Sequence, residues 1–124
     1  MTDIATIVAS ERTIQIKHPA TGAPLGLALT IRPDSHPEVK KARRAIFNER
    51  LKADAPASAE QLEEGQTSVM VAAVAAWEWS GDATYRGKKP RLDESTLREV
   101  LSTLPWVRDQ LATELGNDAA FFPS

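Results

Sequence analysis

The hydrophobic period of this chain changes at Ser35, and that change sets what it can fold into. Over residues 12–32 it is two: Ile14 and Ile16 alternate with Thr13, Gln15 and Lys17, then Leu25, Leu27, Leu29 and Ile31 alternate with Gly26, Ala28, Thr30 and Arg32. Successive strand side chains point to opposite faces, so each half reads as a strand with one apolar face. The Pro- and Gly-dense segment 18–24 between them predicts a turn and an antiparallel hairpin. Two strands alone are marginally stable in water, so the apolar face must find helices or another subunit. The hairpin's unpaired edges point to self-association, at least to a dimer.

Beyond Ser35 the period is helical. Ser35 and Glu38 have capping-box spacing, Pro37 fits a first turn, and Val39, Ala42 and Ile46 form one stripe, which predicts a helix over about 36–53. After residues 54–57 break the pattern, Ser58 and Gln61 repeat the capping spacing. Leu62, Val69, Met70, Ala73, Val74 and Trp77 then recur at three- and four-residue intervals, predicting a long helix, the most buried of the set, that ends at Ser80-Gly81-Asp82. On such a helix Trp77 continues the core stripe and Trp79 cannot share its face. Gly65 would weaken it by roughly 1 kcal/mol relative to alanine.

A polar surface loop follows at 84–90. Asp93 then reads as an N-cap flanked by the staple pair Leu92 and Leu97. Leu97, Val100, Leu101 and Leu104 make a short amphipathic helix that Pro105 must stop. Pro105 can open a last helix carrying Trp106, Val107, Leu111 and Leu115, with Gly116 at its C-terminal cap. The expected fold is therefore α+β, helix-dominated, with an N-terminal antiparallel β-hairpin packed on three to four α-helices. The expected divisions are an N-terminal segment at 1–11 that can be flexible, one domain over 12–116, and a C-terminal tail at 117–124.

Composition narrows the chemistry. The 124 residues suit one domain, and 42% hydrophobic with 26% charged residues is a globular balance. Without cysteine there is no disulfide framework, thiolate metal site or thiol nucleophile. A net charge of −2 lacks the basic excess of a dedicated nucleic-acid binder. The first residues, Met1-Thr2-Asp3-Ile4, show no basic region and apolar run of a signal peptide, and no apolar run approaches the roughly 20 residues of a membrane span, so a soluble, unexported chain is expected.

His18 and His36 are the only histidines and have no partner at metal-ligand spacing. No serine-hydrolase elbow, phosphate-binding loop or dinucleotide fingerprint occurs. Glu60, Glu63 and Glu64 splay around a helix end as solvated carboxylates rather than as a paired acid and base. The basic tract of Lys40, Lys41, Arg43, Arg44, Arg50 and Lys52 fits a solvated helix face, with an acidic protein or a nucleic acid as its functional readings. No catalytic, metal or cofactor residue is expected, so the chain reads as a non-enzyme that binds proteins. Its candidate contacts are the aromatics Trp79, Trp106, Phe121 and Phe122, since such residues serve cores and binding hot spots alike.

Several short signatures follow in order: the turn His18-Pro19-Ala20-Thr21-Gly22, the charged helix after Pro37, an alanine-rich stretch ending Trp77-Glu78-Trp79-Ser80-Gly81, the run Leu104-Pro105-Trp106-Val107-Arg108-Asp109-Gln110, and Asp118-Ala119-Ala120-Phe121-Phe122. From about Thr13 onward this arrangement resembles the tail assembly chaperones of long-tailed bacteriophages and prophages. The resemblance implies a protein of the host cytoplasm, absent from the finished virion, that binds the tape measure protein and keeps it soluble while tail tube (major tail) subunits assemble around it. It implies no catalytic residue and no membrane partner. The alternatives are a head–tail connector or minor tail component, and a small nucleic-acid-binding regulator using the basic tract.

Chaperones of this kind are often made in a short form and a rarer extended form by a minus-one ribosomal frameshift, which would make this chain the short form. Ala120-Phe121-Phe122 permits a thymine run on which both tRNAs can re-pair one base back. The nucleotide sequence is expected to carry a slippery heptamer within a few codons of this site, with the minus-one frame open beyond it; a minus-one frame that closes at once removes the two-product reading.

Overall fold

The computed structural model describes residues 3–123. Strand β1 (Arg12–Lys17) and strand β2 (Pro24–Ile31) form the expected antiparallel hairpin, with Ile14 opposite Leu29. His18 helps shape the turn, its Nδ1 accepting from the amides of Ala20 and Thr21 at 3.0 and 3.3 Å. Helix α1 (Pro37–Lys52) and helix α2 (Ala59–Ala73) follow. The cap of α1 is His36, whose Nδ1 accepts from the Glu38 amide at 3.1 Å, and not Ser35 as the spacing suggests. At α2 the box of Ser58 and Gln61 forms in both directions.

The main departure from expectation is at the end of α2. The helix does not run on to Ser80; it stops at Ala73, and strand β3 (Val74–Trp79) begins without a loop. β3 pairs antiparallel with β2, giving a three-stranded sheet of order β1-β2-β3. The physical cause is Arg32, at the end of β2. Its amide donates to the Ala73 carbonyl at 2.7 Å and its Nη1 to the Ala72 carbonyl at 2.9 Å, so the terminal helix carbonyls find partners across the chain and the next turn is not needed. Trp77 and Trp79 then stand two residues apart on a strand and share a face, opposite Leu29 and Leu27. Their rings meet edge to face at 5.4 Å.

All three strands turn their apolar side chains to one layer of helices. Helix α3 (Glu94–Thr103) and helix α4 (Pro105–Leu115) supply Leu97, Val100, Leu101, Val107 and Leu111 to the core, against Ile14, Ile16, Leu27, Leu29 and Ile31. Asp93 caps α3 as expected, accepting from the Thr96 amide at 2.7 Å, and this bond holds its carboxyl below the usual carboxylate range. The opposite sheet face carries Thr13, Gln15, Ala28, Thr30, Ala76 and Glu78, none of them buried.

The edges expected to drive self-association are partly covered within the chain. β3 takes one edge of the hairpin. On the other, the Gln110 side chain of α4 accepts from the Lys17 amide at 2.8 Å and donates to the Lys17 carbonyl at 2.7 Å, as a neighbouring strand would. A short 3-10 turn (Asp118–Phe121) places Phe121 in the core, and the Ser10 amide donates to the Phe121 carbonyl at 2.8 Å.

Two glycines mark close approaches of opposite character. Gly26 has φ +96°, and a Cβ there would stand 2.5 Å from the Ser80 carbonyl oxygen. Gly65 is helical and buried, and a Cβ there would meet Arg50 and Ile46 of α1 at ordinary contact distances of 3.4 to 3.7 Å. Gly26→Ala is expected to cost roughly 1–3 kcal/mol, as backbone strain plus a clash in the β2–β3 pairing. Gly65→Ala is expected to stabilise by roughly 0.5–1 kcal/mol through helix propensity. Urea unfolding of both variants should give shifts of opposite sign.

Candidate partner-binding surface

The four aromatics singled out from the sequence occupy different places. Phe121 is 3% exposed, with the Arg12 guanidinium stacked over its ring at 5.0 Å. Its neighbour Phe122 is 43% exposed. Trp106, at the start of α4, and Trp79, on β3, are half-buried against the core. Trp79 and Trp77 line a shallow groove of about 520 Å³ between β3 and the segment 89–92, and the Trp77 indole donates to the Pro90 carbonyl at 3.0 Å across it. Phe122 and Trp106 line neither this groove nor the two larger ones beside α1.

A different apolar surface is present, on α1 and α2. Phe47, Leu51 and Leu62 are 62%, 69% and 45% exposed. Leu62 thus lies outside the core in which the helical stripe places it. The reason is the length and position of α1: its main neighbour is α2, and Val39 is its one buried residue among those described. Val39, Ala42 and Ile46 face inward, as the sequence pattern predicts, which turns Phe47 and Leu51 outward on the adjoining face. The candidate contacts drawn from the sequence do not include Phe47, although a phenylalanine off the core stripe is the sequence signal that could have found it.

Phe47 borders a concave groove of about 700 Å³. Its walls are α1, through Ile46 and Phe47, α2, through Leu62 and Val69, and the end of α4, through Leu115. Gly65 lies at the α1–α2 contact, beside Ile46 and Arg50. Polar ties hold the wall formed by α2 in place. Arg98 of α3 donates to Glu64 at 2.6 Å and to the Ser68 hydroxyl at 3.0 Å, and Arg108 of α4 donates to the Thr67 hydroxyl and to the Glu63 carbonyl.

The charged side chains that line the groove are Arg43 and Arg50 of α1, with Asp34 and Asp118. Six basic side chains of α1, Lys40, Lys41, Arg43, Arg44, Arg50 and Lys52, face two acidic ones on the same helix, Glu38 and Glu49. Among the described residues, only Arg43 of the six forms an ion pair, with Asp34 at 3.0 Å. Elsewhere the described residues hold no group of three His, Cys, Asp or Glu side chains placed to share a metal ion, and no helix long and apolar enough to cross a membrane. Comparison with family models, with curated proteins and with solved structures finds no match for this chain.

Phe47→Ser and Leu51→Ser are each expected to change stability by no more than about 0.5 kcal/mol, as exposed substitutions do. Leu111→Ala, at a fully buried site, is expected to cost roughly 2–5 kcal/mol. Denaturant midpoints of the three variants test whether α1 turns Phe47 and Leu51 to solvent.

Proposed function

We propose that this chain is a non-enzymatic tail assembly chaperone of a long-tailed phage or prophage, acting in the host cytoplasm and absent from the finished particle. It binds the tape measure protein and keeps that long, helix-rich chain soluble until tail tube subunits enclose it. The observation that carries the reading is the exposure of Phe47, Leu51 and Leu62 beside an open groove, in a chain whose core closes without them. Apolar groups grouped at one surface and rimmed by charge suit transient cover for another protein's apolar helix. The run of sequence signatures from the His18 turn to Phe122 supplies the biological setting.

Co-expression with the tape measure protein is expected to raise the soluble yield of that protein several-fold over expression alone. Equal solubility without this chain overturns the role. Mass spectrometry of purified particles is expected to find this chain absent; a stoichiometric presence would instead make it a structural tail component.

A further inference from the structure

The two edges of the sheet are treated differently. β1 is held by α4 at both ends, with Gln110 on the amide and carbonyl of Lys17 and Glu114 paired with Arg12, whereas β3 has a strand on one side only. The Ser80 amide donates to the Gly26 carbonyl, which makes these two residues a bonded pair of the β2–β3 ladder. Bonded and unbonded pairs alternate along an antiparallel ladder, so Glu78 with Ala28 and Ala76 with Thr30 are bonded in turn. Trp77 and Trp79 therefore turn their amides and carbonyls away from β2. Among the described residues no other backbone group bonds to them. Strand side chains stand roughly perpendicular to their sheet, so the bond from the Trp77 indole to Pro90 puts segment 89–92 below the sheet plane and leaves the edge itself open.

The geometry points to β3 as the seam of a dimer: two copies pair antiparallel through this edge about a two-fold axis at Trp77, joining their sheets into one of six strands, three from each. A second copy fits because each molecule has one such edge. Two-fold pairing satisfies both edges at once and closes, whereas a strand of another protein would leave its own far edge open. Side chains select the register. With the axis at Trp77, Ala76 of each copy lies opposite Glu78 of the other on the solvent face. An axis at Glu78 would set two carboxylates directly opposite each other, which is destabilising. One at Ala76 would bond Trp77 to Ala75, where the ladder is irregular, and one at Trp79 would bring in Gly81, whose φ of +60° lies outside the strand. The edge shares no lining residue with the groove beside Phe47, so the dimer presents two such grooves and can hold a long chain at two points. The pairing itself does not depend on the chaperone role.

Light scattering of the full chain across the micromolar range is expected to give the mass of two chains. Amide exchange at Trp77 and Trp79 should slow as concentration rises, because those N–H groups are unbonded in a single copy. Ala76→Glu should weaken the dimer on the order of tenfold, since it sets two like-charged pairs across the seam, and Ala76→Lys should tighten it several-fold. Position 76 is exposed in the single chain, so the fold tolerates both changes.

The mass of one chain throughout that range overturns the proposal. So does a dimer that responds alike to Ala76→Glu and Ala76→Lys, or one that Phe47→Ser/Leu51→Ser abolishes, which would place the contact on α1. Capture of an extended synthetic peptide of the β3 sequence by a chain that stays monomeric gives the edge to a foreign strand, and also overturns it. A monomer that still solubilises the tape measure protein removes the dimer and leaves the chaperone role. A dimer without any effect on that protein's solubility does the reverse.

Discussion

Strand β2 is paired on both sides, and the rest of the molecule is arranged around that fact. A strand between two neighbours has its backbone groups satisfied along both edges, so its inward side chains can be buried without polar cost. Leu27, Leu29 and Ile31 are accordingly at most 5% exposed. Their burial requires a third strand, and the chain draws it from what would otherwise be the last turns of α2. Arg32 makes this possible by taking the carbonyls of Ala72 and Ala73, while Gly26 leaves room at the far end for Ser80, whose amide donates to the Gly26 carbonyl at 2.8 Å.

With one sheet face buried under helices, the helices divide into two roles. α3 and α4 complete the core, and α4 also guards the β1 edge through Gln110 and anchors Arg12 through Glu114. α2 connects the layers, tied to α3 and α4 by Arg98 and Arg108, and its C-terminus runs directly into the sheet. α1 is left outboard on α2. A helix with a single buried residue adds little to a core, yet this one is sixteen residues long and carries two large apolar side chains in solvent.

The residues that close the core lie on β1, β2, β3, α3 and α4, together with Met70 and Phe121, while the exposed apolar side chains Phe47, Leu51 and Leu62 lie on α1 and the first half of α2. Phe121, a candidate contact by sequence, belongs to the first group, and Phe47 belongs to the second. An aromatic side chain has the same hydrophobic drive in either place, so residue type alone does not distinguish the two.

The sequence by itself determined the local elements. Alternation defined β1 and β2, proline and glycine placed their turn, Ser58 with Gln61 and Asp93 capped their helices, and Pro105 divided α3 from α4. These rest on interactions within a few residues, and such interactions are written in spacing. Tertiary structure decided the rest. Val74, Ala75, Ala76, Trp77, Glu78 and Trp79 satisfy a helical stripe and a strand alternation alike, and only the open edge of β2 with Arg32 at its end chose the strand. In the same way Leu62 and Phe47 are exposed, and Phe121 is buried, because of where α1, α2 and α4 came to rest. Partners far apart in sequence set those outcomes, and a periodic pattern carries no record of them.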